Sequence, residues 1–286
     1  KATDDSDNTG LPVYHNWTID ITDPITNISS GPSSLTNSQS ATFSFSSNEA
    51  DSVFQCNIDS GYWITCTSPR SYDSLSEGNH SFYVRATDQA GNTGDSVSYN
   101  WTIDITDPIA NISSGPSSPT NSNEATFSFS SNEANSTFQC KIDSSSWSNC
   151  TSSKSYDSLS EGNHSFYVKA TDQAGNTGDT ISYNWTIDIT DPIANISSQP
   201  NNPTNIQSAT FIFDSNEANS TFQCRIDSGS WSNCTSPRSY SNLSEGNHIF
   251  YVRAIDLAGN TGNSVSYYWT IDITDPVTNI TSGPVS

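Results

Sequence analysis

Three kinds of residue in this chain could do chemistry, and all return at one interval. Cysteines occur as three copies of C-x9-C, at Cys56/Cys66, Cys140/Cys150 and Cys224/Cys234. Carboxylates recur at Asp20, Asp23, Glu49 and Asp88, again at Asp104, Asp107, Glu133 and Asp172, and again at Asp188, Asp191, Glu217 and Asp256. Histidine follows the phrase L-S-E-G-N at His80, His164 and His248. The interval is 84 residues, the spacing that also separates Trp17, Trp101, Trp185 and Trp269. A fixed period of this length marks a tandem array of small domains.

Each chemistry has a bland reading beside the sharp one. A structural zinc site needs four clustered ligands, and each repeat offers two cysteines and one distant histidine. The cysteine pairs therefore read as local disulfides, which places the chain in an oxidising, extracytoplasmic setting. A lone histidine per repeat reads as a hydrogen-bonding residue at a β-corner. Serines abound, but nothing sets Ser, His and Asp in a strained nucleophile turn. The sequence points to no enzyme and no catalytic cofactor.

Asparagine supplies a further candidate chemistry. Sequons N-x-[ST] occur at Asn16, Asn27, Asn79, Asn100, Asn111, Asn135, Asn149, Asn163, Asn184, Asn195, Asn219, Asn233, Asn242 and Asn279. A chain this rich in Asn, Ser and Thr produces several by chance, so these are candidate glycosylation sites only.

The elements that position these groups are strands. Within residues 21–104 the stretches ITNISS, ATFSFS, VFQCNI, YWITCT, SFYVRATD and SVSYNWTID are β-branched and aromatic, with Gly, Pro, Asn and Ser between them. Alternation turns Phe43, Phe45, Phe82, Val84 and Ala86 inward, and leaves Tyr83 and Arg85 outward. Six or seven antiparallel strands in such a length predict an all-β, immunoglobulin-type β-sandwich. Cys56 and Cys66 flank a turn at Ser60-Gly61, so their bridge would clip one hairpin. The hairpin tryptophans Trp63, Trp147 and Trp231 read as covers for the core in preference to sugar platforms.

Boundaries follow from the period. Residues 21–104 and 105–188 align without a gap and differ at sixteen positions, nine of them between Asp51 and Arg70. Repeats are thus expected at 21–104, 105–188 and 189–272. Residues 1–20 match the C-terminal strands of a preceding, incomplete repeat, and 273–286 the first strand of a following one. These ends suggest excerpts from a longer tandem chain or completion by another molecule, and the absence of an initiator Met or signal peptide fits a mature or excerpted segment.

Composition narrows the partners. Thirty acidic against nine basic residues give a net charge of -21, which repels nucleic acid and anionic lipid. No apolar run approaches the roughly 20 residues that span a bilayer, so this segment is not expected to insert into membrane.

The motif Y-x-x-L-x-x-G-x-H-x-F-x-V-[RK]-A-x-D-x-A-G-N, followed by W-T-I-D-x-T-x-P, is carried by Tyr72, Leu75, Gly78, His80, Phe82, Val84, Ala86, Asp88, Ala90, Gly91, Asn92, Trp101, Asp104 and Pro108. It resembles the tandem immunoglobulin-like repeats of prokaryotic cell-surface proteins and large adhesins. The resemblance covers the whole chain and is specific for the module, whereas such repeats serve as stalks, spacers, fibres or binding tips. Isopeptide locks found in some relatives are not implied, because the candidate lysine positions read Arg85/Lys169/Arg253 and Arg70/Lys154/Arg238.

Only Ile105 to Asp107 separates the last strand of one repeat from the first of the next, and Pro108 stiffens its own backbone and that of Asp107. A beaded rod is expected. In such a sandwich the loops holding Glu133 and Asp172 approach Asp104 and Asp107. Two unit charges about 6 Å apart repel by roughly 0.7 kcal/mol in water and about 3 kcal/mol at an effective dielectric of 20. The cluster therefore either takes a cation, for which calcium with its six to eight oxygen ligands is suited, or is solvated. Calcium-stiffened junctions in similar adhesin repeats and in cadherins are what the resemblance adds.

Two functions remain. The first is a structural component of an extracellular, cell-surface fibre, filament or stalk, with copies of itself as partners at exposed strand edges such as ITNISS. The second is an adhesin whose repeats bind carbohydrate or a protein on other cells or surfaces, for which the variable hairpin from Asp51 to Arg70 is the candidate. Against it, YWITC in the first repeat becomes SWSNC in the others, losing Tyr and Ile.

Overall fold

A computed structural model describes residues 1–281. Among them no helix is assigned, and none is long and apolar enough to cross a membrane. Two compact units are present: Lys1–Ile109 with Ser131–Thr137 and Lys169–Asp179, and Ala110–Ser130 with Phe138–Val168 and the chain from Thr180 onward.

The first unit contains a complete sandwich. Its strands are β1 (Thr26–Ser30), β2 (Leu35–Thr36), β3 (Ala41–Ser47), β4 (Val53–Ile58), β5 (Ile64–Cys66), β6 (Arg70–Tyr72), β7 (Gly78–Thr87) and β8 (Val97–Ile103). One sheet has the order β1-β3-β6, the other β2-β8-β7-β4-β5. Strand β2 pairs with β8 in parallel, and the other strand pairs of this repeat are antiparallel.

The core follows the expected alternation. Phe43, Phe45, Phe82, Val84 and Ala86 are buried, and Phe43 stacks on Phe82 with ring centroids 4.1 Å apart. Trp101 and Ile103 of β8 close the same cluster. Arg85 turns outward, where its guanidinium donates to the Gln55 side-chain oxygen at 3.0 and 2.8 Å.

The second repeat supplies β9 (Ala110–Ser114), β10 (Ala125–Ser131), β11 (Thr137–Ile142), β12 (Ser148–Cys150), β13 (Lys154–Tyr156), β14 (Gly162–Thr171) and β15 (Ile181–Ile187). The third supplies β16 (Ala194–Ser198), β17 (Ala209–Ser215), β18 (Thr221–Ile226), β19 (Ser232–Cys234), β20 (Arg238–Tyr240), β21 (Gly246–Ile255) and β22 (Val265–Ile271). Their sheets repeat the order of the first, with Thr120 and Thr204 making single parallel bridges where β2 lies in the first repeat. Proline at 119 and 203 replaces Leu35 there; the N–H that Thr102 gives to the Ser34 carbonyl goes to side chains in the later repeats, from Thr186 to Ser118 Oγ and from Thr270 to Asn202 Oδ1, and the pairing is confined to one residue. In residues 1–20 an isolated bridge joins Thr3 and Thr9, and Trp17 is exposed. Asn279 is the last candidate sequon, and residues 282–286 lie outside the described residues.

Bonds join Cys56–Cys66, Cys140–Cys150 and Cys224–Cys234, each across ten residues. The cysteines are not directly opposed: Cys56 pairs with Ile64 and Cys66 with Phe54, so the bridge runs diagonally across the hairpin. Closing a loop of about ten residues contributes roughly 3 kcal/mol in the chain-entropy model.

The hairpin tryptophans differ from expectation. They lie outside the three core clusters, on the outer face and beneath cations: Arg85 sits 4.4 Å from the Trp63 ring, Lys141 5.3 Å from Trp147, and Arg253 4.6 Å from Trp231. With few basic residues in the chain, the aromatic face gives these cations a partner that also shields their stems.

Candidate functional site

The acidic residues expected at the junctions come together three at a time. Asp104, Glu133 and Asp172 each offer an oxygen within 4.8 Å of the others, as do Asp20, Glu49 and Asp88, and Asp188, Glu217 and Asp256. The first two sets lie in the first unit and the third in the second unit. Asp23, Asp107 and Asp191 are outside these sets, although their charges act on the neighbouring glutamates. The expected four-carboxylate convergence is therefore three plus a more distant fourth.

Each acid is held by a local device. Asp172 begins the turn DQAGN; its Oδ1 accepts from the Gly175 and Asn176 backbone N–H groups at 2.6 and 2.8 Å, and its Oδ2 from the Asn176 amide at 2.7 Å. Gly175 takes φ +100°, a conformation natural to glycine. The same amide donates to the Asp104 carbonyl at 2.8 Å, tying the turn to the linker. Asp104 Oδ1 accepts from the Thr106 N–H at 3.1 Å, and the Thr106 hydroxyl donates to Glu77 at 2.9 Å. Glu133 is placed by the Ser131 hydroxyl, which accepts its N–H, and by Ser136, which donates to its carbonyl.

The linker itself is clamped. Pro108 is buried with its carbonyl against Gly178, where a Cβ would overlap the oxygen. Ile109 donates to Asn132 Oδ1 at 2.6 Å, and Asn132 returns its N–H to the Ile109 carbonyl at 3.1 Å. The junction at Asp188 repeats every device through Asn260, Thr190, Glu161, Pro192, Gly262, Ile193 and Asn216.

Electrostatics separate the two kinds of acid. Burial, and then the charges of Asp104, Asp172, Asp107 and Glu77, push the Glu133 carboxyl above its ordinary pKa. Glu49 and Glu217 are raised for the same reasons. Burial would also raise Asp172, but the Asn176 side chain and the backbone N–H groups of the turn outweigh it and hold it below its ordinary value, as in Asp88. The junctions at Asp104 and Asp20 thus each join an aspartate held below its ordinary pKa to a glutamate pushed above its own. Oxygens around a calcium ion at roughly 2.3–2.6 Å lie no more than about 5 Å apart, so each three-acid set has the dimensions of a partial coordination shell.

The histidines are built differently. His80 is buried with Nδ1 2.7 Å from Asp59 Oδ2 and Nε2 2.7 Å from the Ser76 carbonyl, its ring stacked on Trp101. Both nitrogens face acceptors, which fits the doubly protonated ring. His164 and His248 repeat this with Asp143 and Asp227.

Sequence reading missed Asp59, Asn132 and Asn176, and the tie from Thr106 to Glu77. Their signal was present as recurrence at the 84-residue period in I-D-S, S-N-E and A-G-N-T-G.

No protein-family model matches the sequence, and no curated protein matches it. Among solved structures, the chain is similar to a tetra-tandem repeat in the extending region of a large adhesion protein, with 18% identity over 88% of this chain and 74% of that one and a TM-score of 0.33. It is similar to a 1.5-MDa bacterial ice-binding adhesin described for host cell surface retention, with 13% identity, 87% and 98% coverage and a TM-score of 0.42. A third likeness is to fibronectin(III)-like modules of Clostridium thermocellum CbhA, with 12% identity, 60% and 100% coverage and a TM-score of 0.37. The strand order defines the fold independently of these likenesses. The chain is a tandem array of immunoglobulin-like sandwiches.

Proposed function

We propose that the array is a structural component of an extracellular, cell-surface fibre or stalk, with no enzymatic activity of its own. The observation that carries this reading is the junction: the same clamp of Asn, Pro, Gly and Thr recurs at Asp104 and at Asp188, one period apart. A repeated, short and clamped linker suits a load-bearing spacer, because each step then presents the next domain identically. Disulfides in every repeat suit an oxidising exterior.

Calcium at Asp20/Glu49/Asp88 and its two counterparts is part of the proposal. A divalent ion would offset the repulsion that adds to burial in raising the glutamates, with water completing the shell beyond the three carboxylates. The competing reading, in which repeats grip carbohydrate through the hairpin tryptophans, is weakened by the cations that already occupy those rings.

Antibody raised to one repeat and imaged by electron microscopy on intact cells tests the placement. Label along fibres or stalks outside the cell is the expected result. Label confined to the cell interior would overturn it.

A further inference from the structure

Two sequons of the first repeat lie on neighbouring strands, Asn79-His80-Ser81 on β7 and Asn100-Trp101-Thr102 on β8. The register sets Asn79 opposite Thr102 and Ser81 opposite Asn100. His80 and Trp101 turn inward, so alternation sends the other four side chains to one outer face. The second repeat has the same square, with Asn163 opposite Thr186 and Ser165 opposite Asn184. In the third repeat Asn247 still faces Thr270, but the other pair has become Ile249 and Tyr268. This single cross-strand exchange removes the serine of one sequon and the asparagine of the other.

The asparagines in the square are not equivalent. The hydroxyl of Thr102 donates to Asn79 Oδ1 at 2.8 Å, that of Thr186 to Asn163 at 2.8 Å, and that of Thr270 to Asn247 at 2.9 Å. Because the third repeat keeps this bond without a sequon, it accounts for Asn79 and Asn163 as structural residues. Asn100 and Asn184 are exposed and make no side-chain hydrogen bond among the described residues. They line a shallow polar groove between the two strands. Packing does not require asparagine there, and the third repeat accepts Tyr268 at 65% exposure.

We propose that Asn100 and Asn184 carry N-linked glycans covering the outer faces of β7–β8 and β14–β15, and that the third repeat leaves the same face bare with Tyr268 on it. The donor is an oligosaccharide on a lipid phosphate. The Asn Nδ2 forms a bond to the anomeric carbon as the carbon–oxygen bond to phosphate breaks; the lipid phosphate leaves with the electron pair, and the amide loses one proton. The Thr102 and Thr186 hydroxyls are engaged in the folded pair, so transfer precedes closure of these strands.

The inference rests on the extracellular reading, and glycopeptide mass spectrometry of the full chain from native surface material separates the two. Glycan on Asn100 and Asn184 is the expected result. Surface-derived chain with intact disulfides but unmodified Asn100 and Asn184 would overturn the glycan assignment and leave the extracellular reading standing. Sugar confined to Asn79 and Asn163 would overturn the assignment equally.

Discussion

At the scale of the residue, the buried histidine gives the sharpest expectation. Burial alone would lower the His80 pKa, but the Ser76 carbonyl and the Asp59 carboxylate together raise it above the ordinary value, and His164 and His248 follow. A folded-state pKa above the unfolded one contributes stability that is fully present below about 6.5 and is lost as pH rises through the folded value. Denaturant unfolding should therefore show higher stability near pH 6 than near pH 9. His80→Gln should cost the first repeat about 2 kcal/mol at the lower pH, the scale of a hydrogen bond to a charged group. It should also remove that repeat's share of the pH dependence; a variant that keeps it would place the titration elsewhere.

At the scale of the element, the junction depends on contacts that admit no extra atom. Gly178→Ala would drive a methyl group into the Pro108 carbonyl, a clash costing roughly 1–3 kcal/mol. Limited proteolysis should then cut faster between 105 and 107, while the disulfide-clipped hairpin at Cys140–Cys150 stays resistant. Equal cutting of variant and parent would remove Gly178 from the clamp.

Strand positions and core faces were legible because Phe43 and Phe45, Phe82 and Val84, and Trp101 and Ile103 each follow a period of two within one strand. The tryptophan at 63 was misread because a hairpin aromatic carries no sign of which face it takes; that depends on Arg85 across the sheet. The role of Asn176 was hidden for a similar reason, since its amide bridges a turn and a linker 72 residues apart in sequence. The acidic set was partly legible: recurrence marked the carboxylates, while the turn geometry that sets Asp107 apart from Asp104, Glu133 and Asp172 was not.

At the scale of the whole molecule, an excess of acid meets little internal neutralisation. The described ion pairs join histidine to aspartate, while seven of the nine basic residues, Arg70, Arg85, Lys141, Lys154, Arg225, Arg238 and Arg253, lie over aromatic rings. The described ion pairs do not include the junction glutamates, and the divalent ion proposed there would hold Asp104, Glu133 and Asp172 together by charge. The measurement that tests this account most directly is negative-stain electron microscopy of the purified full chain, with calcium and with chelator. Straight, evenly beaded particles in calcium that bend at the linkers on chelation are predicted. Particles equally flexible in both conditions would contradict both the clamped junction and its cation.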